Sequence, residues 1–164
     1  MTAMYNEFGD YMKPDLVRQL LIYIDDNIYA KISLEELSRI FYYNKDYIMR
    51  IFKKKLGITI VDYLNKKRIY LSLNELKETD DYILKVALKH GFTSQEYYTE
   101  IFNKVMGVNP NTYRKFTKNH PSITEEELFT IRKNLTETKY QLDQIEKYKK
   151  TISKETVKRL TRYR

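Results

Sequence analysis

Apolar residues recur at helical spacing along most of this chain, and its few glycines and prolines fall between the apolar segments. Gly57 and Gly107 lie 50 positions apart, and other residues match at the same offset. The matching pairs are Leu34 and Leu84, Tyr47 and Tyr97, Ile51–Phe52 and Ile101–Phe102, Lys54 and Lys104, and Tyr63 and Tyr113. A repeat of this length indicates one structural unit that is used twice.

The first copy, residues 33–57, predicts two short helices separated by a tight turn. Ser33 and Glu36 form a capping box at the start of the first helix, and Asn44 caps the second helix. Gly57 suits the left-handed position that ends a helix. The pattern of this copy is therefore helix, turn, helix and glycine.

The second copy, residues 81–107, follows the same pattern. Asp81 is expected to cap its first helix, Gly91 lies in the turn, and Thr93 or Ser94 caps the next helix. Two short helices joined by a turn of three or four residues are typical of the helix-turn-helix unit of DNA-binding proteins. A plain bundle of helical hairpins has the same periodicity, so the pattern alone leaves both folds open.

The segment between the copies, residues 59–77, has helical apolar spacing and contains no glycine or proline. A helix of about 17 residues is about 25 Å long, so this linker predicts a rod between the two units. Recognition helices that lie about 34 Å apart enter major grooves one turn of DNA apart. The linker therefore suits a protein that reads two successive grooves.

Composition narrows the function further. The 164 residues carry a net charge of +8 with a pI near 9.4, which suits a polyanionic partner as well as a solvated surface. The chain has no cysteine and two histidines, which argues against disulfides, metal sites and other cofactors. It also lacks a nucleophile–base pattern and a glycine-rich phosphate loop, so we predict that it is not an enzyme.

No apolar run approaches the roughly 18 residues that a membrane-spanning helix needs. The first residues include acids and lack the basic and apolar regions of a leader peptide. We therefore expect no membrane partner and a cytoplasmic protein that associates with the nucleoid.

Seven segments of the chain carry a more specific signal, because they occur together in order and at the right spacing. They are Ile32–Ser38, Ile51–Gly57, Tyr63–Leu64 with Arg68, Ala87–Gln95, Phe102–Lys104, Gly107–Pro110 and Tyr113–Arg114. Together they resemble the DNA-binding domain of the AraC/XylS family of bacterial transcription regulators, from about Asp15 to about Lys115. The resemblance favours the helix-turn-helix fold over a plain bundle.

The resemblance implies an all-α fold with seven helices over residues 13–116, in which the linker helix joins two helix-turn-helix subdomains. The first helix is expected over Pro14–Asn27, and the last begins at Pro110 after a cap at Asn109. Residues 1–12 form a lead that is too short for the ligand-sensing domain of many relatives. No small-molecule ligand is therefore expected.

Exposed residues in the first turns of a recognition helix reach the base edges of the major groove. Arg50 suits a bidentate contact to guanine, Met49 a thymine methyl, and Asp46 either a cytosine amine or the orientation of Arg50. In the second copy Gln95 suits adenine, whereas Glu100 repels phosphate and puts base reading by this copy in doubt. The candidate base contacts are Lys45, Asp46, Met49, Arg50, Gln95, Glu96, Thr99 and Glu100.

Basic and capping residues are expected to contact DNA phosphates. These residues are Asn44, Lys53, Lys54, Lys55, Lys66, Lys67, Arg68, Ser94, Lys104 and Arg114. Residues 31–68 hold ten basic residues against four acids, and residues 81–115 hold five against three, so the first unit is expected to supply most of the affinity. Tyr47, Tyr97 and Tyr98 are expected in the core rather than stacked on bases.

Residues 117–164 predict a helical, coiled-coil-like extension that begins with a capping box of Thr124 and Glu127. Its seam, at spacings of three and four, is Leu128, Ile131, Leu135, Thr138, Leu142, Ile145, Lys149 and Ile152. The seam needs a partner, which is a second copy of the chain (the homodimer that we favour), this domain itself, or another protein such as RNA polymerase. A second short helix is expected after Ser153, and the basic end over Lys158–Arg164 offers further phosphate contacts.

The sequence thus predicts a transcription regulator that binds double-stranded DNA with sequence specificity and places two recognition helices in successive major grooves. Activation is favoured over repression, but the choice depends on where the site lies relative to the promoter, so the sequence leaves both open. Two alternatives remain open. One is an architectural or weakly specific DNA binder, and the other is a protein-interaction adaptor that uses the helical tail.

Overall fold

The computed structural model describes the backbone of residues 15–162 and the side chains of residues 15–151. Within this part of the chain the regular elements are helices, with no strand. They are α1 (Leu16–Asp26), α2 (Leu34–Phe41), α3 (Lys45–Leu56), α4 (Ile60–Glu78), α5 (Ile83–Lys89), α6 (Gln95–Met106), α7 (Pro110–Thr117) and α8 (Glu125–Arg162). The predicted all-α class is confirmed, with seven helices before the C-terminal extension. The lead of residues 1–12 and Pro14 of the predicted first helix lie outside the described residues.

Polar side chains cap the helices at most of the predicted residues. Ser33, Asn44, Ser94 and Asn109 each accept a hydrogen bond from a backbone N–H in the first turn of the next helix, at 2.7–3.1 Å. These bonds satisfy N–H groups that have no partner within the helix. The sequence therefore fixes where α2, α3, α6 and α7 begin.

The prediction that Asp81 caps α5 is wrong. The helix begins at Ile83 after Tyr82, whose side chain makes no capping hydrogen bond. The Asp81 carboxylate instead forms an ion pair with Lys85 at 3.0 Å. Because the helix begins one residue later than the prediction requires, Asp81 precedes the N-cap position and its carboxylate does not cap the first turn.

Residues with a left-handed backbone close both recognition helices. Gly57 ends α3 with a φ of +72° and Gly107 ends α6 with a φ of +75°, as predicted. In the turn of the first unit, however, Tyr42 adopts a φ of +58°, a conformation that glycine reaches more readily. Its side chain is 82% exposed, so the tight turn projects an aromatic ring into solvent.

Each helix-turn-helix unit has its own hydrophobic core, and α4 contributes to both cores. The first-unit core consists of Leu16, Val17, Leu20, Leu21, Ile24, Ile28, Leu37, Ile48, Phe52, Ile58, Ile60, Tyr63, Leu64 and Ile145. The second-unit core consists of Ile69, Leu73, Leu76, Ile83, Val86, Ala87, Phe92, Tyr98, Ile101, Phe102, Met106, Tyr113 and Ile131. The linker helix is therefore not a free rod, because packing on both sides fixes it to both units.

The three tyrosines that were predicted in the core have different positions. Tyr98 is fully buried, as predicted, and burial raises the pKa of its hydroxyl. Tyr97 is 39% exposed, and its hydroxyl accepts a hydrogen bond from Asn65 at 3.0 Å. Tyr47 is half-buried. The core prediction is therefore wrong for Tyr97, because its ring lies against Phe92 at the edge of the second-unit core, with the ring centroids 5.9 Å apart, and stays partly in solvent.

The C-terminal extension is one continuous helix, α8. It begins with the predicted capping box, in which Thr124 and Glu127 exchange hydrogen bonds of 2.9 and 3.1 Å. It then continues past Ser153 to Arg162, so the prediction of a second short helix is wrong. Because no glycine or proline follows Pro121, nothing in the sequence breaks the helix.

The described part of the α8 seam faces the chain's own domain. Ile131 lies in the second-unit core and Ile145 in the first-unit core, while Thr138 between them is 2% exposed. Leu135 and Leu142 pack against the same two cores. Docking within one chain avoids the loss of translational freedom that association costs. The seam therefore binds this domain, and the favoured alternative of a second copy on this face is wrong.

Side chains from Ile152 onward, including the basic residues of Lys158–Arg164, lie outside the described ones. Within residues 15–162, no helix has both the length and the apolar character that crossing a lipid bilayer requires.

Candidate DNA interface

The recognition helix of the first unit, α3, presents a basic surface to solvent. Buried Ile48 and Phe52 fix which face of the helix points into the first-unit core. The candidate base contacts of this helix are on the opposite face and are all exposed: Lys45, Asp46, Met49 and Arg50. The exposed candidate phosphate contacts are Asn44 at the N-cap and Lys53, Lys54 and Lys55 towards the C-terminus. These residues have the exposure that contact with DNA requires, and the contact itself stays a prediction.

Arg50 is held by aromatic rings. Its guanidinium lies 5.6 Å from the centroid of the Tyr47 ring, within the range of a cation–π interaction. The Tyr47 ring is itself stacked on the Tyr43 ring, with the ring centroids 5.3 Å apart and an interplanar angle of 22°. The sequence suggested Asp46 as the residue that orients Arg50, and the stacked tyrosines take this place instead.

Lys45 has a partner within the same unit. Its ammonium donates a hydrogen bond to Glu35 of α2 at 2.9 Å, and this bond raises the pKa of Lys45 and lowers the pKa of Glu35. Both side chains are exposed, so solvent screens the pair and a phosphate or base can displace it at little cost.

The start of α4 belongs to the same surface, which sequence reasoning missed. A groove of about 310 Å³ runs between α3 and the first turn of α4. Met49, Arg50 and Lys53 line one side of it, and Thr59 and Val61 line the other. The helical pattern of α4 showed its core face but not where its first turn would lie relative to α3.

The recognition helix of the second unit, α6, presents a different chemistry. Ser94 caps it, and the candidate contacts Gln95, Glu96 and Glu100 are exposed while Thr99 is half-buried. Glu100 pairs with Lys104 at 3.2 Å across one helical turn. Glu100 therefore balances the charge of Lys104, the basic candidate for a phosphate contact on this helix. This agrees with the expectation that the second unit supplies less of the affinity for DNA.

Two lysines of α4 that were predicted to contact phosphates are engaged inside the fold. Lys66 donates a hydrogen bond to Gln141 of α8 at 2.6 Å. Lys67 forms an ion pair with Asp25 of α1 at 2.6 Å, with 21% of its side chain exposed. Contact with DNA would require both residues to leave these partners. We therefore do not retain Lys67, whose partner is a carboxylate, as a phosphate contact, while the contact of Lys66, whose partner is an uncharged amide, stays a prediction.

The prediction that Arg68 contacts phosphate is wrong. Its side chain is buried, at 7% exposure, and donates hydrogen bonds to three backbone carbonyls. The acceptors are Ile28 at 2.6 Å, Ala30 at 2.7 Å and Gly91 at 3.3 Å. Because the first two belong to the first unit and Gly91 to the turn of the second, Arg68 joins the two units.

Arg114 has a similar structural position at the second unit. It donates hydrogen bonds to the carbonyl of Leu76 at 3.1 Å and to that of Asp81 at 2.9 Å. These bonds fix α7 against the end of α4 and the loop before α5. Two of the three guanidinium nitrogens of half-buried Arg114 are thus engaged within the fold, and its phosphate contact stays a prediction. Arg68 and Arg114 were both assigned to DNA from charge alone, which does not show the hydrogen bonds that each makes within the fold.

The relatives of the chain agree with this architecture. Residues 37–115 match a family model that is described as a helix-turn-helix domain. The multiple antibiotic resistance protein MarA of Escherichia coli strain K12 is 33% identical over 98 residues, which are 60% of this chain and 77% of MarA. The HTH-type transcriptional activator AarP of Providencia stuartii is 26% identical over 110 residues, which are 67% of this chain and 82% of AarP.

Solved structures have a similar fold. A Listeria innocua protein of unknown function matches with a TM-score of 0.59 at 34% identity, over 63% of this chain and 98% of that protein. The DNA-binding domain of the transcriptional factor AdpA, solved in complex with a target DNA, matches with a TM-score of 0.57 at 23% identity, over 66% of this chain and 97% of that domain. At that identity the likeness to AdpA concerns the fold alone. From its motifs, its seven-helix core and its relatives, the chain belongs to the AraC/XylS family of DNA-binding transcription regulators.

Proposed function

We propose that this protein is a sequence-specific transcription activator whose first unit supplies most of the affinity for double-stranded DNA. One observation carries the proposal: Arg50 is exposed at the centre of the α3 surface and is held on Tyr47, beside the exposed cluster Lys53–Lys55. An arginine that is already oriented loses less side-chain freedom when it makes a bidentate contact to guanine. The lysines supply phosphate contacts that do not depend on sequence.

The second unit has a supporting role in this proposal. Gln95 and Thr99 can read bases, but Glu96 and Glu100 place negative charge on the same surface. Phosphates repel these acids unless a cytosine amine or a basic residue pairs with them. The second recognition helix is therefore expected to add sequence preference and a smaller share of the affinity than the first.

Activation is proposed from the relatives, because AarP is by name a transcriptional activator. An activator of this size needs a contact with the transcription machinery, and RNA polymerase is the expected partner. The test is transcription in vitro with purified polymerase on a template that carries the bound site upstream of a promoter. Added protein should raise the amount of transcript, and a fall would contradict activation.

The test of base reading is a pair of binding titrations. A duplex selected from random sequences by the purified chain is compared with a scrambled duplex, by fluorescence anisotropy over a range of salt concentrations. Arg50→Ala should weaken binding to the selected duplex by about 1–3 kcal/mol, or about 5- to 150-fold, and should weaken binding to the scrambled duplex much less. Lys54→Ala is the control, since it should weaken binding to both duplexes equally.

Two results would contradict the proposal. If Arg50→Ala weakens binding to both duplexes equally, Arg50 contacts only phosphates and the protein is an architectural binder. If Glu100→Ala weakens binding to the selected duplex more than Arg50→Ala does, the second unit rather than the first carries the affinity.

A further inference from the structure

The helix α8 contacts both helix-turn-helix units. Near its start, the side-chain amide of Asn134 donates a hydrogen bond to the carbonyl of Met106, at the end of α6 in the second unit, at 3.0 Å. Further along, the Tyr148 hydroxyl donates to the carboxylate of Asp15, at the start of α1 in the first unit, at 2.9 Å. One helix therefore caps a recognition helix of one unit and holds the first helix of the other.

Apolar contacts anchor α8 at the same two places. Ile131 is fully buried in the second-unit core, and Ile145 is 4% exposed in the first-unit core. The 14 residues from one anchor to the other correspond to about 21 Å of helix. Because each anchor is part of a close-packed core, neither can slide without opening a cavity.

The packing of α8 against Gly107 leaves no space for a side chain at that position. A Cβ atom added to Gly107 would lie 2.5 Å from Thr130 Cγ2 and 2.7 Å from Asn134 Nδ2. At the corresponding position of the first unit, a Cβ added to Gly57 would meet nothing within 4 Å. The end of α6 is therefore held directly by α8, in a way that the repeat itself does not provide.

Two helices that both span the units restrict their relative movement more than one helix does. The linker α4 alone can bend and can twist about its axis, and either motion changes the distance and angle between the recognition helices. A second helix that is anchored in both cores opposes both motions, and the bond from Lys66 of α4 to Gln141 of α8 ties the two helices together midway.

We propose that α8 is a brace that fixes the separation of α3 and α6, and so makes the protein selective for the spacing between its two half-sites in DNA. This inference rests on the proposed reading of DNA by both units. Two extra base pairs between the half-sites move one half-site by about 7 Å and rotate it by about 70°. A rigid pair of units cannot follow this displacement, whereas a flexible pair can.

The mechanical part is tested by a distance measurement in the DNA-free full chain. Because the sequence has no cysteine, cysteines introduced at Lys53 and Asn103 can be spin-labelled selectively. Both residues are exposed, and they are equivalent positions of the two recognition helices. The braced chain should give one narrow distance distribution. The double variant Ile145→Glu with Lys149→Glu, which places carboxylates in the first-unit core and beside Asp25, should broaden it.

The binding part uses unlabelled chains and two duplexes, one with the selected site and one with two base pairs inserted between its halves. The insertion should weaken binding of the wild-type chain by about tenfold or more. It should weaken binding of the double variant Ile145→Glu with Lys149→Glu, in which α8 is detached from the first unit, by about threefold or less. Tyr140→Ala, on the exposed outer face of α8, is the control and should behave as wild type. Circular dichroism establishes that the variants are folded. If the first double variant is not, Ile131→Glu with Asn134→Glu detaches α8 from the other unit instead.

The outcomes separate the two proposals. If a folded detached variant keeps the narrow distance distribution, the brace is disproved. It is also disproved if the two inserted base pairs weaken binding of that variant as much as they weaken binding of the wild-type chain. If the wild-type chain binds selected and scrambled duplexes equally while its distance distribution is narrow, the proposed function fails and spacing selectivity fails with it. The brace is supported if the detached variant has a broader distance distribution than the wild-type chain and also binds the two duplexes with nearly equal affinity.

Discussion

Lys149 of α8 donates a hydrogen bond of 2.7 Å to Asp25 of α1, from a position 124 residues further along the chain. The other oxygen of the Asp25 carboxylate accepts from the Tyr63 hydroxyl at 2.7 Å and pairs with Lys67 at 2.6 Å. One carboxylate therefore joins three helices, because Tyr63 and Lys67 belong to α4. Burial alone would raise the pKa of Asp25, but the hydrogen bonds from Lys149, Lys67 and Tyr63 outweigh it and hold the pKa below its ordinary value.

This cluster predicts a pH-dependent contribution to stability. The pKa of Asp25 is lower in the folded chain than in the unfolded chain, where it is about 3.9. Its contribution is therefore complete well above pH 4 and is lost as the pH falls through the folded-state pKa. At pH 7, Asp25→Asn should lower the free energy of unfolding by about 1–3 kcal/mol, because two lysines lose their partner in a mostly buried site. Urea unfolding from pH 7 to pH 2 measures this, and the difference between wild type and variant should shrink towards acid.

An exposed ion pair of α8 provides the control for this prediction. Lys139 and Asp143 form a pair of 2.7 Å, and each side chain is about 60% exposed. Asp143→Asn should leave the stability nearly unchanged at every pH, since solvent screens the pair. If Asp25→Asn has as little effect as Asp143→Asn, the cluster does not stabilise the docked helix.

The two helix-ending glycines predict unequal effects of the same substitution. Gly57→Ala and Gly107→Ala introduce a similar backbone cost, because their φ angles are +72° and +75°. The cost at Gly107 should be larger by about 1–3 kcal/mol, since a Cβ there overlaps Thr130 and Asn134 of α8. Thermal unfolding of the two variants measures the difference.

A rescue experiment identifies the cause of that difference. In the Thr130→Ala background, which removes the nearest methyl group, Gly107→Ala should cost less than in the wild-type chain. Equal costs for Gly57→Ala and Gly107→Ala would show that α8 does not press on the end of α6 in solution.

Local signals in the sequence predicted most of the helix starts, although not that of α5, whereas they could not show which distant group each polar side chain would bind. Ser33, Asn44 and Ser94 act within one helical turn, so residue type and position decide their bonds. Arg68 donates a hydrogen bond to the carbonyl of Ile28, 40 positions away, and the periodicity of a single helix does not predict a contact at that separation. Most candidate DNA contacts of the recognition helices fell on exposed positions, with Ser94 and Thr99 half-buried, because helical periodicity separates core faces from solvent faces.

The seam of α8 shows a second limit of sequence reasoning. Apolar spacing established that one face of the helix must be buried, and Ile131 and Ile145 are buried. It could not distinguish a second copy from the chain's own domain, because both offer apolar surface to the same face. The sequence also did not predict the stacking of Arg50 on Tyr47, because a tyrosine at the spacing of core residues was expected in the core and not beside an exposed arginine.

Arg68 provides a test of structural against DNA-binding roles. Arg68→Lys should lower the free energy of unfolding by about 2–4 kcal/mol, because an ammonium cannot reach the three carbonyls that the guanidinium satisfies. It should leave unchanged the slope of log affinity for DNA against log salt, measured well below the melting temperature. Lys53→Gln should do the opposite, reducing the slope by about 0.9 with little loss of stability. A reduced slope for Arg68→Lys would instead show that Arg68 contacts a DNA phosphate.

Glu100 should weaken the second unit electrostatically, and removing its charge should strengthen DNA binding. Glu100→Gln frees Lys104, its partner at 3.2 Å, and removes the repulsion of phosphates, so we expect about two- to fivefold tighter binding at low salt and a smaller gain at high salt. Asp143→Asn is the matched control, because Asp143 is 61% exposed like Glu100 and also pairs with a lysine one turn away, but lies on α8. An equal gain from Asp143→Asn would mean that net charge alone is responsible. Weaker binding by Glu100→Gln would mean that the carboxylate contacts a base, and the second unit would then read DNA through its acid.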